Sequence, residues 1–268
     1  MWLFAIVLGI VQGLTEFLPI SSSGHLVLVQ QLWPQAPLSP QAQLLFDAAV
    51  HVATLLAVLW VFRRRVGWLV RALFYPSPLT AEERAMGLRL WALLGIGTLP
   101  TVALGLALRG PIERAFSSTT AVGAALLATG TLLFIAGRRA GGRGLAEMRP
   151  RDALLIGVMQ GLAIFPGVSR SGFTIATGLL LGLKRELAAE FSFLLSAPAI
   201  LGALLLEVQG LRGAPDTATA LGPLLLGSLL ALITGVLALR WLLRLLRRGH
   251  LRVFAYYCWP LGLTALAL

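Results

Sequence analysis

Long, predominantly apolar runs constrain this chain more than any other feature of its sequence. A helix needs roughly 20 residues to cross a hydrocarbon core of about 30 Å. Four runs meet that length, and two shorter runs are also acceptable, at 44–62, 88–108, 119–137, 221–241, 191–208 and 253–268. Only 12% of the residues are charged, about half the share in a typical soluble domain, which excludes a water-soluble globule. The sequence therefore predicts an all-α polytopic membrane protein.

Two further apolar regions are each interrupted by a polar turn. The first region, 2–32, is broken by Ser-Ser-Ser-Gly at 21–24, and the second, 153–183, is broken by Ser-Arg-Ser-Gly at 169–172. A proline precedes each turn by a few residues. Irregular backbone at membrane depth is tolerated only where protein buries it or where it lines a wet cavity. Each region is therefore predicted to be a re-entrant hairpin of two half-length helices.

The N-terminal apolar run is expected to remain in the mature protein. A signal peptide begins with basic residues, but the first Lys or Arg of this chain is Arg63. Gln12 and Glu16 also interrupt the run, and the apolar core of a signal peptide would not contain such residues.

Arginine is concentrated in three segments, 63–89, 138–151 and 240–252, and contributes most of a net charge of +11. The segments 33–43 and 209–220 carry little or no charge. Because basic loops stay on the cytoplasmic side, the three arginine-rich segments are predicted to be cytoplasmic. There they would lie beside anionic lipid, and nucleic-acid binding is not expected. The first hairpin then enters and leaves on the outer side, and the second on the inner side.

This arrangement predicts an inverted-topology repeat within a single integral-membrane domain, residues 1–268. The repeat halves are about 1–137 and 150–268, and each consists of one re-entrant helical hairpin followed by three transmembrane helices. Folds of this kind place their functional sites near the membrane midplane, where the broken helices of both halves meet.

Recurring motifs support the repeat independently of the charge distribution. Gln12-Gly-Leu recurs at Gln160, and Ser23-Gly recurs at Ser171, both at an offset of 148 residues. Each copy therefore consists of Gln-Gly-Leu, a proline, a serine-containing turn and a second apolar helix.

Glu16 is an ionisable side chain within an apolar segment, where a charge is costly and a functional role is the first hypothesis. Gln12 lies four residues earlier and therefore on the same helical face. The two could share a proton or bind a divalent cation such as Mg²⁺ or Ca²⁺, which prefer oxygen ligands. The alternative is a glutamate that reaches the membrane interface with Gln12 as its hydrogen-bond partner.

The turn of the first hairpin is rich in hydroxyl groups. Ser21, Ser22 and Ser23 precede Gly24-His25 at the start of the second half-length helix. Hydroxyls and free backbone N–H groups at a helix N-terminus form an anion site, and a serine with a histidine three residues later could be a nucleophile and its proton-transfer partner. The alternative is a helix cap followed by a histidine at the membrane interface.

The second turn has Arg170 at the position of Ser22 in the first. A guanidinium group binds phosphate through a fork of N–H donors. Three hydroxyl side chains surround this helix N-terminus, namely Ser169, Ser171 and Thr174. The alternative is an Arg170 that pairs with an internal carboxylate.

Together the two motifs resemble the undecaprenyl-diphosphate phosphatase family, the bacitracin-resistance type. Residues 12–25, QGLTEFLPISSSGH, match that family's E/Q-x-x-x-E stretch and the SS-x-GH that follows it. Residues 166–172, PGVSRSG, match its PG-x-SRSG stretch, and length and hydropathy agree over the whole chain. The resemblance implies hydrolysis of the C55 lipid carrier diphosphate to its monophosphate, with a divalent cation. It also implies an inverted-repeat fold in the bacterial plasma membrane, with a site open to the extracytoplasmic side.

The resemblance further implies a role for each motif residue. Glu16 and Gln12 become the pair that binds Mg²⁺ or Ca²⁺, and Ser22 the nucleophile, with water in its place left open. His25 becomes the proton-transfer partner and Arg170 the phosphate clamp. The expected substrate-binding hydroxyls are those of Ser21, Ser23, Ser169, Ser171 and Thr174. Many members of the family have Glu at the position of Gln12, so the number and affinity of metal ions stay open.

A transporter or flippase of a prenyl phosphate or another anionic substrate is the alternative function, since inverted repeats with broken helices fit it equally well. The expected partners are a polyprenyl diphosphate substrate and membrane lipid, and small-residue helix faces would permit a homodimer. Asp47 and His51, one turn apart on a predicted span, could bind a metal ion, but they are interpreted as a polar pair near the outer interface or a support for the first motif.

Overall fold

The computed structural model describes residues 1–32, 40–75, 77, 79–116, 118–139, 141–210 and 221–267. These ranges consist of helices and turns and contain no β-strand, apart from one isolated bridge between Arg143 and Leu183. The first six helices are α1 (Trp2–Phe17), α2 (Ser22–Leu32), α3 (Pro40–Val61), α4 (Arg63–Phe74), α5 (Ala81–Ala107) and α6 (Arg109–Ala115). The other six are α7 (Thr119–Ala136), α8 (Pro150–Leu162), α9 (Arg170–Leu180), α10 (Arg185–Gly210), α11 (Leu221–Arg247) and α12 (Val253–Ala267).

Five of the described helices are long and apolar enough to cross a membrane, which agrees with the predicted all-α polytopic membrane protein. They are Leu44–Val61 within α3, all of α5 and α7, Arg185–Leu205 within α10, and α11. The predicted sixth span corresponds to α12, which has 15 residues. At about 1.5 Å per residue it is roughly 22 Å long, short of a complete hydrocarbon core. Six full spans therefore stay a prediction.

The structure differs from the sequence interpretation within the first arginine-rich segment, 63–89. Residues 63–74 form the amphipathic helix α4, which buries Leu69 and Ala72 and exposes Arg63 and Arg71. α5 begins at Ala81, seven residues before the apolar run, because Thr80 and a glutamate one turn later form a capping box. The charge-free segment 33–43 and the segment 209–220 lie largely outside the described residues.

α1 and α8 each pack against a long apolar helix at a glycine. A Cβ atom added to Gly9 of α1 would lie 2.3 Å from the carbonyl oxygen of Gly227 in α11. A Cβ atom added to Gly157 of α8 would lie 2.0 Å from the carbonyl oxygen of Gly97 in α5. Gly9 and Gly157 are 148 residues apart, the offset of the recurring motifs. Small residues of this kind let helix backbones approach closely in a membrane protein.

The two polar turns also meet each other. A Cβ atom on Gly24 would lie 3.1 Å from the Cα atom of Gly167, and one on Gly172 would lie 3.3 Å from the Cβ atom of Pro19. Each contact joins the start of one short helix to the turn before the other. The N-termini of α2 and α9 therefore lie close together inside the helical assembly.

Candidate active site

A cavity of about 510 Å³ lies beside the two polar turns. Five helices, the turn before α9 and Phe116 after α6 contribute to it. Its polar lining residues are Thr15, Glu16, Ser22, Ser23, Asp47, His51, Ser169 and Arg170. Its apolar lining residues are Leu26, Val27, Phe116, Ala163, Ile164, Val168, Ala199, Ile200, Ala203 and Leu204. A polar end and an apolar wall suit an amphiphilic ligand.

Glu16, near the end of α1, connects the two motifs. Its Oε1 atom accepts a hydrogen bond from Arg170 Nη2 at 2.5 Å. Its Oε2 atom accepts one from Ser22 Oγ at 2.7 Å and another from Gln12 Nε2 at 3.1 Å. The side chain is only 6% exposed, so the carboxylate is held inside the protein.

Arg170, the first residue of α9, lines the cavity and keeps some of its hydrogen-bond donors available for a ligand. Its Nη2 atom is engaged by Glu16, whereas its buried Nη1 atom has no hydrogen-bond partner among the described residues. A guanidinium group in this state can bind a carboxylate and a phosphate at the same time.

Serine side chains cap both short helices beside the cavity. The Oγ atom of Ser21 accepts a hydrogen bond from the Gly24 N–H group at 3.1 Å. The Oγ atom of Ser169 accepts one from the Gly172 N–H group, also at 3.1 Å. The two N-termini carry partial positive charge, which favours an anion at this end of the cavity.

Three of the predicted substrate-binding residues lie behind the cavity and do not line it. Ser21 is buried, and its hydroxyl caps α2. Ser171 contacts Ser169, with 3.3 Å between the two Oγ atoms. Thr174 contacts Ser192, with 2.5 Å between their hydroxyl oxygens. In this structure these groups fix the turns and α9, whereas Ser22, Ser23 and Ser169 face the cavity.

His25 does not line the cavity either. Its Nδ1 atom lies 2.6 Å from the Ser21 carbonyl oxygen, and its Nε2 atom lies 2.7 Å from the Tyr257 hydroxyl oxygen. Both ring nitrogens are therefore engaged, and the structure does not bring His25 together with Glu16, Ser22 and Arg170.

Asp47 and His51 on α3 are cavity residues that the sequence did not assign to the site. Both line the cavity together with Glu16, and His51 Nδ1 lies 2.7 Å from the Asp47 carbonyl oxygen. The sequence signal was a pair of polar residues one helical turn apart within an apolar span. That signal does not show which way the helix faces, and the structure turns it toward the first motif.

A metal ion would find a small set of oxygen donors here. The described residues contain no cluster of three His, Cys, Asp or Glu side chains. Gln12 does not line the cavity, but its buried Oε1 atom has no hydrogen-bond partner among the described residues, and its amide nitrogen donates to the Glu16 carboxylate. Mg²⁺ is commonly held by one or two carboxylates together with substrate phosphates. These residues fit a cation that binds with the substrate.

Comparison with known proteins places the whole chain among close relatives. A family model described as "Bacitracin resistance protein BacA" matches residues 5–264. An "Undecaprenyl-diphosphatase" from Desulfatibacillum aliphaticivorans is 42% identical over 275 residues, which cover 99% of this chain and 98% of that protein. Proteins of the same name from Desulfosudis oleivorans and Korarchaeum cryptofilum are 46% and 44% identical, with coverage of 96% and 98% of this chain and 94% and 98% of theirs.

Proposed function

The chain belongs to the bacitracin resistance protein BacA family, and we propose that it is a membrane phosphatase that hydrolyses undecaprenyl diphosphate. The products are undecaprenyl phosphate and inorganic phosphate, so the reaction recycles the lipid carrier used in cell-wall synthesis. One observation carries the assignment to this cavity: the Glu16 carboxylate accepts hydrogen bonds from Ser22 and Arg170 at the same time. A nucleophile, a base and a phosphate-binding group therefore meet at one point.

The nucleophile in this proposal is the Ser22 hydroxyl. As Ser22 Oγ attacks the terminal phosphorus, its proton passes to Glu16 Oε2, which lies 2.7 Å away. The new Oγ–phosphorus bond forms as the bond from phosphorus to the bridging oxygen breaks, and undecaprenyl phosphate leaves. Water then hydrolyses the phosphoserine, which releases inorganic phosphate and restores Ser22.

The surrounding groups bind and orient the diphosphate. Arg170 keeps its Nη2 hydrogen bond to Glu16 and donates from Nη1 to a phosphate oxygen. Ser23 and Ser169 supply hydroxyls at the cavity wall. A divalent cation held by Glu16 and the amide oxygen of Gln12 would, when bound, offset the negative charge of the diphosphate. The apolar residues of α10 at 199–204 would receive the part of the prenyl chain nearest the head group.

The two halves are also proposed to be inverted repeats, with α1–α2 and α8–α9 as re-entrant hairpins. The matching glycine contacts at Gly9 and Gly157 and the matching serine caps at Ser21 and Ser169 support this arrangement. The site is then proposed to open on the side opposite the arginine-rich segments.

Thiol labelling tests the proposed sidedness. The chain has one cysteine, the buried Cys258, so Cys258→Ala provides a cysteine-free background. In intact cells, a membrane-impermeant maleimide is expected to label Ser23→Cys at the cavity. Arg139→Cys in an arginine-rich segment is expected to react only after the membrane is permeabilised. The opposite pattern would reverse the proposed orientation.

Phosphate release from undecaprenyl diphosphate in detergent tests the activity. Purified wild-type protein with Mg²⁺ or Ca²⁺ is expected to release phosphate, and Ser22→Ala and Glu16→Gln are expected to be inactive. Thr264→Ala is the matched control, since among the described residues its hydroxyl bonds to the Pro260 carbonyl oxygen of its own helix. If the wild type releases nothing while the Glu16 and Arg170 variants behave like it, the enzyme assignment fails and the transporter or flippase hypothesis takes its place.

Rapid acid quench followed by mass spectrometry distinguishes serine from water as the nucleophile. A phosphate adduct on Ser22 that forms and decays during one turnover is expected. An active enzyme that never carries this adduct would assign the attack to water.

A further inference from the structure

Ser21 has a backbone conformation that its side chain disfavours. Its φ is 70°, and it is the one non-glycine residue with a positive φ in the part of the chain that the structure describes. An L-residue pays a steric penalty in this left-handed region and stays there only where its surroundings hold it. Ser21 directly precedes Ser22, so its conformation sets the position of the Ser22 hydroxyl.

The His25 ring holds the Ser21 carbonyl group. The Ser21 oxygen lies 2.6 Å from His25 Nδ1 and accepts a second hydrogen bond, at 3.2 Å, from the His25 backbone N–H group. Because a carbonyl oxygen can only accept, Nδ1 carries the proton and donates it. Nε2 of the neutral ring is then an acceptor, and the Tyr257 hydroxyl donates to it at 2.7 Å.

α12 supports the same turn through two consecutive residues. The Tyr257 ring stacks on the His25 ring, with centroids 5.7 Å apart and planes inclined by 7°. The Cys258 thiol donates a hydrogen bond to the Pro19 carbonyl oxygen, with 3.7 Å between sulfur and oxygen. The turn before Ser22 is thus attached to a helix more than 200 residues away in the sequence, since His25 and Tyr257 are 232 positions apart.

The second hairpin provides an internal comparison. Ser169, which lies 148 residues after Ser21, caps its helix in the same way but has an ordinary φ of −80°. The residue at the position of His25 is Phe173, which has no ring nitrogen. The Ser169 N–H group instead donates to Thr129 Oγ1 of α7 at 3.2 Å. The imidazole is therefore present in the hairpin whose cap residue is strained and absent from the hairpin whose cap residue is relaxed.

We propose that His25 is a positioning residue that, together with Tyr257, holds Ser21 in its left-handed conformation and thereby places Ser22 Oγ against Glu16. This inference rests on the proposed function, in which Ser22 is the nucleophile. It gives His25 a role different from the proton transfer that the family resemblance implies. It also adds Tyr257, a residue outside both motifs, to the groups on which the reaction depends.

Five variants test the proposal by phosphate release from undecaprenyl diphosphate. His25→Ala is expected to lower the rate about 5- to 30-fold, the population change that a strain of this size produces. His25→Asn is expected to recover most of that loss, since its amide N–H group can donate to the Ser21 carbonyl oxygen but cannot exchange a proton near neutral pH. Tyr257→Phe, which removes one hydroxyl, is expected to lower the rate about 2- to 5-fold.

The double variant Ser21→Gly with His25→Ala discriminates best between positioning and proton transfer. Glycine adopts a positive φ without a steric penalty and is tolerated as a helix cap. The double variant is therefore expected to release phosphate faster than His25→Ala, at a rate close to that of Ser21→Gly alone. Recovery of this kind has no explanation if His25 transfers a proton. Thermal unfolding of each purified variant separates a loss of rate from a loss of folded protein.

Each result decides the matter. If His25→Asn and the double variant are as slow as His25→Ala, or if His25→Ala has the wild-type rate, the positioning role is wrong. Ser22→Ala is measured in parallel. If the wild type releases no phosphate, the proposed function itself fails, and if Ser22→Ala retains the wild-type rate, Ser22 is not the nucleophile. An active wild type with an inactive Ser22→Ala confines the failure to this inference.

Discussion

Glu16 and Arg170 are 154 positions apart in the sequence, yet Glu16 Oε1 and Arg170 Nη2 lie 2.5 Å apart. Glu16 lies near the end of α1, before one polar turn, and Arg170 is the first residue of α9, after the other. Their side chains are 6% and 16% exposed, so the pair is largely removed from solvent. Neither half of the chain therefore contains a complete site, and the cavity forms only where both turns meet.

Replacement of Arg170 is expected to lower phosphate release by a factor of about 100 or more, because the substrate loses a donor and Glu16 loses its counter-ion. Arg170→Lys keeps the charge but cannot reach Glu16 and a phosphate through two separate nitrogens, so a smaller loss of about 10-fold is expected. Initial rates of phosphate release at saturating and at limiting undecaprenyl diphosphate measure the loss in each variant.

The matched control for this change is another ion pair outside the cavity. Arg65 of α4 pairs with Glu190 of α10, and neither residue lines the cavity. Arg65→Ala is expected to keep a rate close to that of the wild type. An equal loss in Arg65→Ala and Arg170→Ala would mean that the ion pairs act through stability and not through the substrate.

Gln12→Glu is expected to lower the Mg²⁺ concentration needed for half-maximal activity by about 10-fold, because a second carboxylate raises the charge of the donor set. Gln12→Met removes the amide oxygen at similar volume and is expected to raise that concentration. Mg²⁺ titration of protein first treated with a chelator provides the measurement. If neither change moves the midpoint, Gln12 is not a metal ligand.

The membrane fold was predictable because the length of an apolar span follows directly from bilayer thickness. The same argument placed both polar turns, since a proline and hydroxyl residues interrupt a span wherever they occur. Helix α4 was missed for a related reason: its arginines suggested a loop, and only two small patches of its surface, at Leu69 and Ala72, are buried. Its apolar and basic residues do recur with a helical period, but a search for apolar runs long enough to span a membrane passes over so polar a helix.

The site was predictable in its composition but less so in its geometry. The offset of 148 residues related Ser22 to Arg170, but no local pattern shows that Arg170 and Glu16 touch. The Ser-x-x-His spacing put Ser22 and His25 on one helical face. The direction of the imidazole was nevertheless decided by Tyr257, a tertiary partner that spacing cannot reveal. The opposite error concerns His51, which the sequence analysis did not assign to the site although it lines the cavity.

His51→Leu is expected to raise the KM for undecaprenyl diphosphate about 10-fold, the loss associated with one hydrogen bond to a charged group. His51 Nδ1 donates to the Asp47 carbonyl oxygen, so Nε2 is the ring atom that remains, and it donates to a phosphate oxygen only from the doubly protonated ring. His250→Leu, in an exposed position far along the chain, is the control and is expected to leave KM unchanged. A normal KM in both variants would remove His51 from substrate binding.

Gly157→Ala is expected to destabilise the folded protein by about 1–3 kcal/mol, because its Cβ atom would lie 2.0 Å from the Gly97 carbonyl oxygen and force α5 away from α8. Gly95→Ala is the matched control on α5, where an added Cβ atom meets no atom of the described residues within 4 Å. Alanine there is expected to stabilise the helix by about 0.5–1 kcal/mol. Thermal unfolding in detergent measures the two effects, and a shift of the same sign in both variants would contradict the close contact.

Gly9→Ala is expected to match Gly157→Ala, since its Cβ atom would meet Gly227 in the equivalent way, at 2.3 Å. If only one of the two glycines is sensitive, α1 and α8 do not pack as equivalent elements, and the proposed repeat loses its structural support.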